Sequence, residues 1–91
     1  MEIHCSAMAA LDMERIHALI SEDDHETAWE VVKILYDGCM ALKTFPNRGR
    51  IGRIKGRREL VFPSLPYIAV YRVKEQAVDI LRIYHSARDW P

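Results

Sequence analysis

At 91 residues the chain has room for one domain, spanning 1–91, and for a modest core. Hydrophobic residues at 49% and charged residues at 29% are ordinary for a soluble globular protein. No apolar run approaches the roughly 20 residues of a membrane span, and a formal net charge of zero excludes a uniformly basic or acidic protein.

Met1 to Cys5 reads as a short strand, with Ile3 and Cys5 on one face and Glu2 and His4 on the other. The apolar run after it, Ala7 to Leu11, is too short for a signal peptide and follows Glu2 rather than a basic cluster, so a cytoplasmic location is expected. Ser6 stands where a helix N-cap belongs. Ala9, Met13, Ile16 and Ile20 then recur at helical spacing, with Asp12 and Glu14 off that stripe. Ser21 to Asp24 interrupts the pattern, and Asp24 can cap a second helix. Its stripe is Ala28, Val32, Leu35, Cys39 and Leu42, flanked by Val31 and Ile34; Lys43 lies in the last turn and Pro46 ends it.

Residues 47–56 are polar, glycine-bearing and basic, and read as a loop. After it the apolar period changes to two. Glu59 to Phe62, Tyr67 to Val73 and Val78 to Tyr84 are the predicted strands, and Ser86 to Pro91 is a tail. Short connections favour antiparallel pairing. The expected fold is therefore α+β, in the order β-α-α-β-β-β. A helical hairpin covers one face of a mainly antiparallel four-stranded sheet.

The zero net charge conceals a segregation. Residues 1–42 hold nine acids and two bases, a sum of −7, whereas residues 43–91 hold eleven bases and four acids, a sum of +7. Arg48, Arg50, Arg53, Lys55, Arg57 and Arg58 place six positive charges within eleven residues that contain no acid. A solvated loop is the plain reading. The segregation favours instead a surface for a polyanion or an acidic partner. Cys5 and Cys39 match no metal spacing, and reduced, buried thiols are preferred over a single disulfide. Trp29 and Trp90 are read as packing residues, and His4, His17 and His25 are assigned no role. No glycine-rich phosphate loop or zinc-type spacing appears, so neither cofactor nor metal is expected.

Five stretches carry a resemblance. Ala10-Leu11-Asp12-Met13-Glu14-Arg15-Ile16 follows the opening strand, and Phe45-Pro46-Asn47-Arg48-Gly49-Arg50 follows the second helix. Gly56-Arg57-Arg58-Glu59-Leu60-Val61 and Pro66-Tyr67-Ile68-Ala69-Val70-Tyr71-Arg72-Val73 come next. The last is Ile80-Leu81-Arg82-Ile83-Tyr84-His85-Ser86-Ala87-Arg88-Asp89-Trp90. In this order they resemble the RelE/ParE superfamily of bacterial type II toxins over almost the whole chain. The resemblance implies a protein antitoxin as principal partner and one of two targets. RelE-like members cut messenger RNA on the ribosome, and ParE-like members inhibit DNA gyrase without nuclease activity.

Metal-free RNA cleavage requires proton transfer at the ribose 2′-hydroxyl and the leaving oxygen, and stabilisation of the phosphorane charge. Histidine suits the first task and arginine the second. On that chemistry Arg58, Arg82, Tyr84 and His85 are the candidate catalytic residues, with Arg48, Arg50, Arg53, Lys55 and Arg57 binding RNA. Alternation places Arg82 and Tyr84 on one face with Val78 and Ile80, and His85 on the other. The first expectation is ribosome-dependent endonuclease activity on messenger RNA; the alternative is gyrase inhibition. Ser86 stands where nuclease members often carry a tyrosine, which weighs against cleavage.

Overall fold

The computed structural model describes residues 1–89. Trp90, expected as a packing residue, lies outside the described residues. The elements are β1 Glu2–Cys5, α1 Ala7–Ser21, α2 His25–Met40, a single 3-10 turn Ala41–Lys43, β2 Arg50–Ile51, β3 Arg58–Val61, β4 Tyr67–Val73 and β5 Ala77–His85.

Both helices begin where the caps were expected. Ser6 Oγ accepts from the Ala9 amide at 3.0 Å and donates to the Leu81 carbonyl at 2.8 Å, so the cap also joins α1 to β5. Asp24 Oδ1 accepts from the Glu26 and Thr27 amides at 2.9 and 3.3 Å, starting α2. α1 buries Ala9 and Ile16, with Met13 and Ile20 packed at the core margin. On α2 the stripe is Ala28, Val31, Leu35 and Cys39, so Val31 and not Val32 faces the core. Either valine satisfies helical spacing from Ala28. Val32 instead joins Met13, His17 and Trp29 along a groove on the hairpin's outer side.

The sheet has five strands, not the four expected, in the order β1-β5-β4-β3-β2. β1 runs parallel to β5, and the other pairs are antiparallel. The additional strand is β2, two residues inside the basic loop, where Arg50 pairs with Glu59 and Ile51 with Arg58. Ile51 is 81% exposed, so no alternation of burial marks the strand.

Leu60, Phe62, Tyr67, Ala69, Tyr71, Val78, Ile80 and Ile83 point from the sheet into one core with the helices. Between Val70 and Tyr71 the register slips: Val70 faces Arg82 but Tyr71 faces Ile80, leaving Leu81 as an extra residue on β5. The slip corrects the alternation read from sequence. Val78 and Ile80 share the core face with Ile83, and Arg82 and Tyr84, opposite Val70 and Ile68, lie on the other. His85, opposite Tyr67, returns to the core side.

Cys39 is buried as expected, and burial pushes its thiol up to about 12; Cys5 is exposed, and neither cysteine is in a disulfide. No helix among the described residues is long and apolar enough to cross a membrane.

Candidate functional site

The basic loop is held against the sheet at several points. Tyr71 is fully buried, and its hydroxyl donates to the Pro46 carbonyl and accepts from the Gly49 amide, each at 2.8 Å. Burial raises the phenol above its usual range, against the opposing effects of the Gly49 amide and Arg58. Glycine is required at 49 by close approach, since a Cβ there would lie 2.6 Å from the Tyr71 hydroxyl and 2.8 Å from the Glu59 carbonyl oxygen. Arg58 Nη1 donates to the Gly49 carbonyl at 2.8 Å and, more weakly, to that of Asn47 at 3.4 Å. Glu59, 3% exposed, accepts from Arg50 Nε at 2.8 Å and from the Arg53 amide at 3.0 Å. A turn closed by Gly52 N–H to the Arg57 carbonyl at 2.8 Å carries Gly56 at φ +81.

Anchoring leaves the loop's outer surface to solvent. Arg48, Lys55 and Arg57 enter no ion pair among the described residues. Ile51 and Ile54, 81% and 60% exposed, stand among them. The loop offers cations and apolar side chains together, which suits a macromolecular partner.

The far end of β5 is organised differently. β1 stops at Cys5, opposite Ile80, so β5 beyond that point has a free edge. The start of α1 covers it. Asp12 accepts from the Ile83 amide at 2.9 Å and from Arg82 Nε and Nη2 at 2.8 and 3.0 Å. The Asp12 hydrogen bond, above all, raises the Arg82 guanidinium further above its usual range. Arg82 also lies 4.9 Å from the centroid of the Tyr84 ring. His85 Nδ1 accepts from the Ala87 and Arg88 amides, both at 3.2 Å, and its ring meets Tyr67 edge-on with centroids 5.4 Å apart. The imidazole therefore caps the turn that follows β5.

The candidate catalytic residues are thus distributed over two faces. Arg58, opposite Tyr71, and His85, opposite Tyr67, share the helix side, but their partners are four residues, or about 13 Å, apart along β4. Arg82 and Tyr84 extend from the opposite face of the strand, where a small pocket brings them together with Arg53 and Arg57 over Val70 and Glu59. Arg48, Arg50, Lys55, Arg58 and His85 are not part of that pocket. Sequence reasoning missed Asp12, Glu59 and Tyr71 as organising residues. Glu59 was findable, being the sole acid between Lys43 and Lys74 and standing directly after six cations.

The family described as "ParE toxin of type II toxin-antitoxin system, parDE" matches residues 3–90. The protein named "Putative toxin Y4kP" from Sinorhizobium fredii is 40% identical over 79 residues, covering 87% of this chain and 81% of its own length. A solved chain titled "Chromosomal ParDE TA system from P. aeruginosa" superposes with a TM-score of 0.86 at 27% identity, over 93% of this chain and 95% of that one. A chain titled as YafQ from E. coli superposes at only 0.49 with 18% identity over 94% and 93%, too loosely to bear on function. This chain belongs to the ParE toxin family of type II toxin–antitoxin systems.

Proposed function

We propose that the chain is a toxin that acts by binding its target, DNA gyrase, and not by cutting message, with a cognate protein antitoxin as the partner that silences it. The observation that carries this reading is that Arg58 stands apart from Arg82 and His85, and that the last two, although they line one cleft, are already held by other groups. Cleavage needs a proton-transfer group and a phosphate-stabilising cation within hydrogen-bond reach of one phosphodiester. Here Arg58 is bound to the Gly49 and Asn47 carbonyls, Arg82 Nε and Nη2 are both taken up by Asp12 of α1, and His85 Nδ1 accepts from two backbone amides. In this reading Arg48, Arg53, Lys55 and Arg57 are contact residues whose task is affinity. Membership of the ParE family adds support, because gyrase inhibition is the activity that the resemblance attaches to ParE-like members.

A specific observation keeps the endonuclease reading in play: Arg53, Arg57, Arg82 and Tyr84 gather in one pocket on the helix-free face. One preparation in two assays separates the readings. Purified, antitoxin-free protein is expected to block supercoiling of relaxed plasmid by gyrase and to leave ribosome-bound message intact in primer extension. Message cut on the ribosome, with supercoiling unaffected, overturns the proposal in favour of the endonuclease. In that case Arg82→Ala should slow cleavage on the order of a hundredfold or more.

A further inference from the structure

A second cleft lies between α1 and the turn after β5, away from the basic loop. Asp12, Arg15, Ile16 and Leu19 contribute from α1, and Tyr67, Arg82, His85, Arg88 and Asp89 from the sheet end and the turn. Its acceptors are already engaged. Asp12 takes three hydrogen bonds, from Arg82 and the Ile83 amide, and Asp89 Oδ2 accepts from the His85 amide at 3.2 Å. Several of its donors are not. Arg15 and Arg88 are exposed and enter no ion pair or side-chain hydrogen bond among the described residues. Of the two bases in residues 1–42, Lys33 pairs with Asp37 at 2.6 Å, while Arg15 has no such partner.

Two further donors join them. Because His85 Nδ1 accepts two backbone N–H groups, the neutral ring carries its proton on Nε2 and can donate there. Tyr67 is only 5% exposed as a whole, and its hydroxyl enters no hydrogen bond with the described residues. The ring is buried but the hydroxyl oxygen opens to the solvent of the cleft, near Arg88 and Asp89. Three guanidiniums against two carboxylates leave the cleft one positive charge, which matches a monoanion better than a phosphate dianion. Ile16 and half-exposed Leu19 supply an apolar wall beside the donors.

We infer that this cleft binds a carboxylate side chain of an extended acidic peptide, whose apolar neighbour packs on Ile16 and Leu19 while Arg15, Arg88, the Tyr67 hydroxyl and His85 Nε2 donate to the carboxylate. The inference does not depend on whether gyrase or message is the toxin's target.

The test is a nuclear magnetic resonance titration of the isotope-labelled full chain with four probes. These are acetyl-Leu-Glu-Leu-Asp-Leu-amide, the same peptide with Gln and Asn in place of its acids, inorganic phosphate, and a short oligothymidylate. The acidic peptide is expected to shift the His85 ring and the Arg15 and Arg88 Nε resonances saturably, and the amide twin to bind at least about tenfold more weakly. Arg15→Gln and Arg88→Gln, both at exposed positions, should each weaken binding about five- to tenfold without moving the unfolding midpoint. Arg48→Gln should leave it unchanged. Equal binding of the amide twin, or no binding of the acidic peptide at millimolar concentration, overturns the inference. So do shifts confined to residues 48–57, or stronger saturation of the cleft by phosphate or the oligonucleotide.

Discussion

Asp12 and Glu59 are buried acids that each hold a cation and a backbone amide at once. A carboxylate has enough lone pairs for both tasks, so it can tie a strand edge or a loop without leaving a buried donor unsatisfied. In Asp12 the two functions are separable by mutation. Asp12→Ala strands the Ile83 amide and removes the counter-charge of Arg82, and should cost about 2–4 kcal/mol of unfolding free energy in urea. The range stays at its lower half if Arg82, whose side chain is 32% exposed, turns towards water. Asp12→Asn keeps an acceptor for the amide and should cost less than the alanine variant. Equal losses in the two would mean that the charge, and not the strand-edge bond, carries the effect. Asp12 was not legible as an organising residue because it lies off the apolar stripe of α1. Only the early end of β1 gives it an edge to cover.

At the scale of elements, the start of α2 and the β4–β5 hairpin both depend on ionised carboxylates. Hydrogen bonds from the Thr27 side chain, then from the Thr27 and Glu26 amides, hold Asp24 below the 3.8 of an unperturbed aspartate. Those from Arg72 and Lys74 hold Asp79 below the same value. Both pKa values are lowered by folding, so their contribution is fully present above the unfolded value and is lost as pH falls through the folded one. The thermal unfolding midpoint is therefore expected to stay level from neutrality down to about pH 5, and to fall below about pH 4. Asp24→Asn preserves a good cap but cannot titrate, so it should flatten part of the acid fall while changing the neutral midpoint little. An unaltered acid limb would remove Asp24 from the account. α2 also shows where packing overrules propensity. Gly38 is unfavourable within a helix, yet a Cβ there would run into the Phe62 ring.

Across the whole molecule, α2 separates the two charged regions. Its 16 residues span about 24 Å, from the acidic turn at Asp24 and Glu26 to Lys43 and the basic loop beyond. Glu59 draws Arg50 and the Arg53 backbone inwards, which leaves Arg48 and Lys55 among the exposed cations without an ion pair. Replacing both by glutamine should change stability by no more than about 0.5 kcal/mol, because neither makes a contact that folding requires. The same double variant should weaken target inhibition and make it less sensitive to salt, because fewer counterions are involved. Unchanged inhibition at low ionic strength would show that the loop is only a solvated surface.

The sequence by itself determined the elements whose signals are local. Caps at Ser6 and Asp24, helical stripes on α1 and α2, and a change of period after the loop all depend on neighbours within a few residues. Charge segregation is likewise a property of the chain, and the ordered motifs from Ala10 to Trp90 were sufficient for the family. Features that depend on pairing between distant segments were decided only in the folded molecule. β2 exists because Glu59 draws Arg50 to it, although its exposed Ile51 gives no pattern. The faces of Arg82, Tyr84 and His85 turn on one extra residue at Leu81, which no count of alternating residues contains. Where β1 ends against β5 made Asp12 a strand-edge cap and fixed Arg82 beside it. These were the outcomes on which a catalytic cluster depended, because hydrogen bonds spanning some seventy residues have no counterpart in local spacing.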